Sequence, residues 1–170
     1  DGIQHLFPDY FEEFVAPIPA AERSDLMHAY YRRLTSSDLR VRRAAAEPWS
    51  LFEARCSSLL PSQAIVEHFS DPDMAMAIAR IECHYFVNDC FLAPDQIIRA
   101  AARLRDIPGV IVQGRYDVVC PAVSAWRLHQ VWPQAKFVLV PDAGHASSEP
   151  GICAALVEAT DVYARRLAAP

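Results

Sequence analysis

The sequence predicts an α/β fold in two unlike parts: a mostly helical stretch over residues 1–104 and a strand–helix–strand–helix unit over 105–170. Three observations lead there. Up to Leu104 apolar residues recur at helical spacing, as in Leu26, Tyr30 and Leu34. From Ile107 the pattern changes to short apolar runs, Val110-Ile111-Val112 and Phe137-Val138-Leu139-Val140, each followed by a glycine-containing turn. An amphipathic segment follows each run, the order of a parallel βαβα unit.

Taken in order, short helices are expected over Pro8–Val15 and over 49–59, with a stronger one carrying Leu26, Tyr30 and Leu34 between them. Ser70-Asp71-Pro72-Asp73 opens another. Asp71 suits the N-cap because its carboxylate can accept the first free N–H groups, and Pro72 suits the first helical position. That helix should run through Met74, Ile78, Ile81 and Tyr85. Ala93-Pro94-Asp95 opens a third, carrying Ile97, Ile98 and Leu104. A strand over 110–113, a helix from Ala122 to Val131 after Pro121, a strand over 137–140 and a last helix with Ile152, Leu156, Tyr163 and Leu167 complete the chain. Two parallel strands cannot cover both faces of a sheet by themselves. More strands are therefore expected ahead of residue 1.

Composition narrows the function classes. Hydrophobic residues make up 52% of the chain, enough for a globular core, and no apolar run approaches the roughly 18 residues of a membrane span. The net charge is −5, so the one basic cluster, Arg32-Arg33 with Arg40, Arg42 and Arg43, reads as a solvated helix face rather than a nucleic-acid footprint. The five cysteines are odd in number and lack C-x-x-C spacing, which argues against disulfide or metal frameworks and for a reducing cytoplasm. The sequence begins Asp1-Gly2-Ile3, and it is expected to be the C-terminal part of a longer protein.

Chemistry concentrates just past the two strands. Val110-Ile111-Val112-Gln113-Gly114-Arg115-Tyr116-Asp117 ends in an acid, and Phe137-Val138-Leu139-Val140-Pro141-Asp142-Ala143-Gly144-His145 ends in an imidazole. Open α/β sheets bind ligands at these carboxyl-end turns. Acid followed by His is the second half of the order nucleophile, acid, His. The nucleophile itself is expected elsewhere, because a Gly-x-Ser-x-Gly elbow needs glycines four apart. The glycines here, Gly2, Gly109, Gly114, Gly144 and Gly151, never are. On spacing alone, a helix-capping Asp and a turn His are the more ordinary reading.

The longer motifs change that balance. Arg32-Arg33-Leu34-Thr35-Ser36, Arg80-Ile81-Glu82-Cys83-His84-Tyr85-Phe86 and Ile107-Pro108-Gly109 running on through Asp117 to Val118-Val119-Cys120-Pro121 resemble the proline iminopeptidase (prolyl aminopeptidase) family, serine peptidases of the α/β-hydrolase fold. The resemblance covers nearly the whole chain. It implies that 1–104 is most of a helical cap (lid) domain and 105–170 the last βαβα part of the catalytic domain. The half that carries the nucleophile would then lie outside this sequence.

It further implies Asp117 as triad acid and His145 as general base. Glu53 and Glu82 would hold the free amine of an N-terminal proline, Phe86 would pack on its ring, and Cys120 would line the same pocket. Glu82 also carries evidence of its own. It shares an i, i+4, i+8 stripe with Ile78 and Phe86, with Ile81 and Tyr85 beside it. A carboxylate on such a face must be neutralised or meet a cation, either a substrate ammonium or an arginine such as Arg55 or Arg80. Glu53 alone would pass for a solvated glutamate, and Cys120 for a small buried hydrophobe.

The implied activity is release of N-terminal proline from small peptides by a parent enzyme, with no metal or organic cofactor and no nucleic-acid or membrane partner. The 170 residues alone are expected to be inactive. Another capped α/β-hydrolase (an esterase or epoxide hydrolase) would share Asp117 and His145 but would have no use for Glu82. A non-enzymatic helical binding module with a degenerate tail is the other alternative. Oligomeric state is not readable from the sequence.

Overall fold

The computed structural model describes residues 2–168. Residue 1 and residues 169 and 170, the ends of the two predicted parts, lie outside the described residues. The helices are α1 (Ile3–Leu6), α2 (Pro8–Val15), α3 (Leu26–Leu34), α4 (Leu39–Cys56), α5 (Gln63–Phe69), α6 (Pro72–Val87) and α7 (Gln96–Ala100). Strand β1 (Val110–Gly114), helix α8 (Ala122–Val131), strand β2 (Lys136–Val140) and helix α9 (Pro150–Ala168) follow. The chain forms two compact units. One holds the chain up to Cys56 together with Pro61–Ala93; the other holds Ser57–Leu60 and the chain from Pro94 onward.

The helical unit is built on aromatic rings. Phe14 lies between Tyr30 and Phe52, with ring centroids 4.7 and 4.8 Å away. Trp49 meets Tyr30 edge-on at 5.2 Å. Tyr30 is fully buried, and its hydroxyl donates to the Phe14 carbonyl, so the polar end of the ring is satisfied inside the core. Helix α6 starts as expected, with Asp71 Oδ1 accepting the N–H groups of Asp73 and Met74 at 3.0 and 2.9 Å and Pro72 in the first turn.

Two expectations in this unit need correction. Residues 39–56 form one helix, not a short one starting at Trp49, and Pro48 sits inside it. An interior proline loses a helix hydrogen bond and costs about 3 kcal/mol. Burial of Ala45, Ala46, Trp49, Ser50 and Ala54 along the same helix outweighs it. The inward stripe of α6 is also displaced by one position, to Ala75, Ala79 and Cys83. Small side chains let α6 pack closely on α3 and α4, which leaves Ile81, Tyr85 and Phe86 about half exposed. Helix α5, capped by Ser62, was not anticipated.

The second unit contains the sheet. Strands β1 and β2 are parallel and in register from Val110↔Lys136 to Gly114↔Val140. Side chains alternate across it. Val112, Val138 and Val140 pack with Ile152 and Ala155 of α9, while Phe137 meets Trp126 and His129 of α8 at 5.7 and 5.2 Å. The two helices therefore cover opposite faces, as a parallel sheet requires. The helix expected after Pro94 is shorter than its apolar pattern suggested. α7 ends at Ala100 and tightens into a 3₁₀ turn over Ala101–Leu104. Asp95 does not cap it; the residue adopts a left-handed backbone (φ 54°) and its carboxylate pairs with Arg127 at 2.7 Å.

Candidate active site

Because β1 and β2 are parallel neighbours, both end on the same side of the sheet, and the register sets Gly114 beside Val140. The pairing continues past the strands. Arg115 N–H donates to the Val140 carbonyl and Tyr116 N–H to the Ala143 carbonyl, each at 2.9 Å. The two turns come so close that a Cβ on Gly114 would lie 1.9 Å from the Gly144 carbonyl oxygen. Only glycine fits there.

This approach brings Asp117 and His145 together. Asp117 Oδ2 lies 3.0 Å from His145 Nδ1. Asp117 Oδ1 accepts the backbone N–H groups of Val119 and Cys120 at 3.0 and 2.7 Å. Gln113 Nε2 donates to Asp117 Oδ2 at 3.1 Å and also lies 3.2 Å from the Cys120 carbonyl. The Asp117 side chain is only 6% exposed, so its oxygens are fixed by these partners, whereas the His145 ring is 37% exposed and keeps an open edge. An ionised carboxylate can only accept, so the proton of a neutral His145 sits on Nδ1 and the lone pair on Nε2.

The His145 turn is braced from a second side. His145 N–H and Ala146 N–H both donate to the Ser57 carbonyl at 2.7 Å. Glu149 Oε1 accepts from Gly144 N–H at 2.7 Å, and its Oε2 accepts from Leu59 N–H at 3.1 Å. Sequence reasoning missed Ser57, Gln113 and Glu149. Backbone acceptors leave no side-chain signature, and a lone Gln or Glu carries no spacing signal.

Of the other residues singled out, Cys120 is exposed and takes part here through its backbone. It is not the small buried hydrophobe it could have been. Glu53 and Phe86 line a recess of about 490 Å³ in the helical unit, together with Trp49, Phe52 and Phe14. Glu82 is tied to the same wall, since Trp49 Nε1 donates to Glu82 Oε2 at 2.8 Å and the Trp49 ring stacks on Phe86 at 6.2 Å. Arg55, one of the cations considered for Glu82, pairs instead with Glu13 at 2.5 Å and covers the Tyr10 ring. Two groupings thus emerge: Asp117, His145 and Cys120 in the sheet unit, and Glu53, Glu82 and Phe86 in the helical unit. Among the described residues no cluster of His, Cys, Asp and Glu could hold a metal ion, and no helix is long and apolar enough to cross a membrane.

A parallel sheet with an acid and a histidine in adjacent carboxyl-end turns is the arrangement of the α/β-hydrolase class. Residues 71–168 match the family model of TAP-like proteins, and the chain belongs to that family of α/β-hydrolases. Over 164 residues the chain is 49% identical to a probable proline iminopeptidase of Leptolyngbya boryana, covering 96% of this chain and 51% of that protein. It is 50% identical to a proline iminopeptidase of Xylella fastidiosa over 96% of this chain and 52% of the relative. The Arabidopsis thaliana proline iminopeptidase is 45% identical over 94% of this chain and 43% of its own length. The chain spans about half the length of the curated relatives it matches.

Proposed function

We propose that this chain supplies the acid, the base and the amine-binding cap of a serine aminopeptidase that releases N-terminal proline from peptides. The contact between His145 Nδ1 and Asp117 Oδ2 at 3.0 Å carries the reading. A serine hydroxyl becomes nucleophilic when an imidazole takes its proton, and the carboxylate both sets the tautomer and stabilises the imidazolium. His145 Nε2 accepts the hydroxyl proton as the oxygen attacks the prolyl carbonyl, then returns it to the leaving amine. Water attacks the prolyl ester by the same route. The serine and the oxyanion donors come from polypeptide outside residues 1–170; this is supported by the absence of any Gly-x-Ser-x-Gly and by the half-length match to relatives. Residues 1–104 then serve as the cap and 105–170 as the end of the catalytic domain, in a protein of the reducing cytoplasm. The odd number of cysteines and the lack of C-x-x-C spacing are in keeping with that compartment.

In the cap, Glu53 and Glu82 meet the secondary ammonium of the substrate and Phe86 packs on the pyrrolidine ring; Cys120, from the catalytic part, is assigned to the lining of the proline pocket. The support is chemical. Glu53 and Phe86 share one recess with Trp49, and the Trp49 indole holds Glu82 at its wall. Two carboxylates facing one cation favour an unblocked N-terminus, because an N-acylated substrate brings no positive charge to offset their desolvation, a penalty of several kcal/mol. The names of the relatives point to the same substrate class.

The test is hydrolysis by the full-length enzyme of proline p-nitroanilide, N-acetylproline p-nitroanilide and simple esters. Turnover confined to the free-amine substrate is expected, with Glu82→Gln raising KM at least tenfold and leaving the melting temperature unchanged. Preference for esters, or wild-type kinetics in Glu82→Gln, would overturn the amine-binding role.

A further inference from the structure

We infer that Glu149 is a positioning residue for His145: its carboxylate staples the histidine-bearing turn to the Ser57–Leu60 segment, and this fixes the imidazole against Asp117. The inference rests on the aminopeptidase reading above for its kinetic consequence, but its geometry stands on its own. Glu149 immediately precedes α9, where an acidic side chain would ordinarily cap the helix by accepting N–H groups two or three residues ahead. Its oxygens instead accept from Gly144, five residues back, and from Leu59, far away along the chain. The main chain of Glu149 is itself anchored, its N–H donating to the Ala146 carbonyl at 3.0 Å and its carbonyl accepting from Cys153 in the first turn of α9 at 2.9 Å.

The consequence is a closed circuit of hydrogen bonds. His145 and Ala146 hang by their N–H groups from one acceptor, the Ser57 carbonyl. That carbonyl lies in a loop between α4 and α5, and the bond from Leu59 N–H to Glu149 holds the loop in place. The other oxygen of the same carboxylate holds Gly144, the residue before the histidine. The gap is filled: a Cβ on Gly144 would lie 2.9 Å from Leu59 N and 3.2 Å from Glu149 Oε1. Two donors aimed at two oxygens call for a carboxylate. Glutamine can serve one of them, but its NH₂ would then face the other donor N–H to N–H. An imidazole on a turn freed by even 1 Å loses the near-attack geometry a proton transfer needs, a loss that can reach about 10²-fold in rate.

Glu149→Gln and Glu149→Ala in the full-length enzyme test this, assayed with proline p-nitroanilide. The expected result is kcat falling about tenfold in the Gln variant and about 10²-fold in the Ala variant, with KM within twofold of wild type. Unchanged kcat, or a loss carried by KM, overturns the inference while leaving the aminopeptidase reading intact. Should the wild-type enzyme fail to cleave the substrate, that reading falls instead. The inference is then decided by NMR of the ¹⁵N-labelled full-length protein. Glu149→Gln is expected to shift the Gly144 and Leu59 amides and the His145 ring signals together. A His145 ring indifferent to the substitution refutes the positioning role, and the Gln variant, being isosteric, keeps both tests usable if the Ala variant fails to fold.

Discussion

Gly114→Ala tests the closeness of the two turns on which the site depends. The added Cβ would stand 1.9 Å from the Gly144 carbonyl oxygen and 2.7 Å from that of Ala143. Both are backbone atoms, which cannot swing aside. Since ordinary contact begins near 3.4 Å, the turns must part by about 1.5 Å. Such a shift breaks the 2.9 Å bond from Tyr116 to Ala143. It also stretches the 3.0 Å contact between His145 and Asp117 toward about 4.5 Å, beyond hydrogen-bond range. Overpacking of this kind costs about 3 kcal/mol, which for a chain of this size lowers Tm by roughly 6–12 °C. Thermal unfolding followed by circular dichroism reads the first effect, and the His145 ring signals read the second. Gly151→Ala is the control: its Cβ would meet Val140 Cγ1 at 2.5 Å, a side-chain atom that can move, and its penalty should be smaller. A Gly114→Ala protein that melts within 1 °C of wild type with unchanged His145 signals would refute the reasoning.

Other expectations follow from burial and charge. Cys90, Cys120 and Cys153 are exposed and should react quickly with a thiol reagent at pH 8. Burial pushes the Cys83 thiol up to about 11 and the Cys56 thiol up to about 12, so those two should react only on unfolding. Five fast thiols in the native protein would contradict this. Both shifts raise the folded-state value above that of a free thiol near 9.0. Their stabilising contribution is therefore complete below about pH 9 and lost progressively as pH climbs through 11 and 12; a denaturation midpoint that rises over that range would be inconsistent with it. Gln113→Leu removes the side-chain donor from the Asp117 carboxylate and is expected to cost about 1.5 kcal/mol in urea unfolding, with an unchanged midpoint counting against a held carboxylate.

How much could be read beforehand depended on the range of the forces involved. The strand ends carrying Asp117 and His145 were legible because β-branched runs and glycine turns are local signals. The cap of α6 at Asp71 and Pro72, the span of α2 and the span of α8 were legible for the same reason. Features decided by distant partners were not. Pro48 marks a break in any local reading, and only the burial of Trp49 and its neighbours keeps α4 continuous across it. Large apolar residues drew attention to Ile81 and Tyr85 on α6, while tight helix packing selected Ala75, Ala79 and Cys83. The brace made by Ser57, Leu59 and Glu149 joins residues about ninety positions apart, through backbone groups no sequence pattern marks.

The most direct measurement is the kcat of Asp117→Asn in the full-length enzyme on proline p-nitroanilide. An asparagine keeps an acceptor for the Val119 and Cys120 amides but offers an uncharged partner to His145 Nδ1 and can present its NH₂ there, favouring the wrong tautomer. The expected result is a folded protein whose kcat is lower by about 10⁴-fold. A folded variant turning over within threefold of wild type would contradict it.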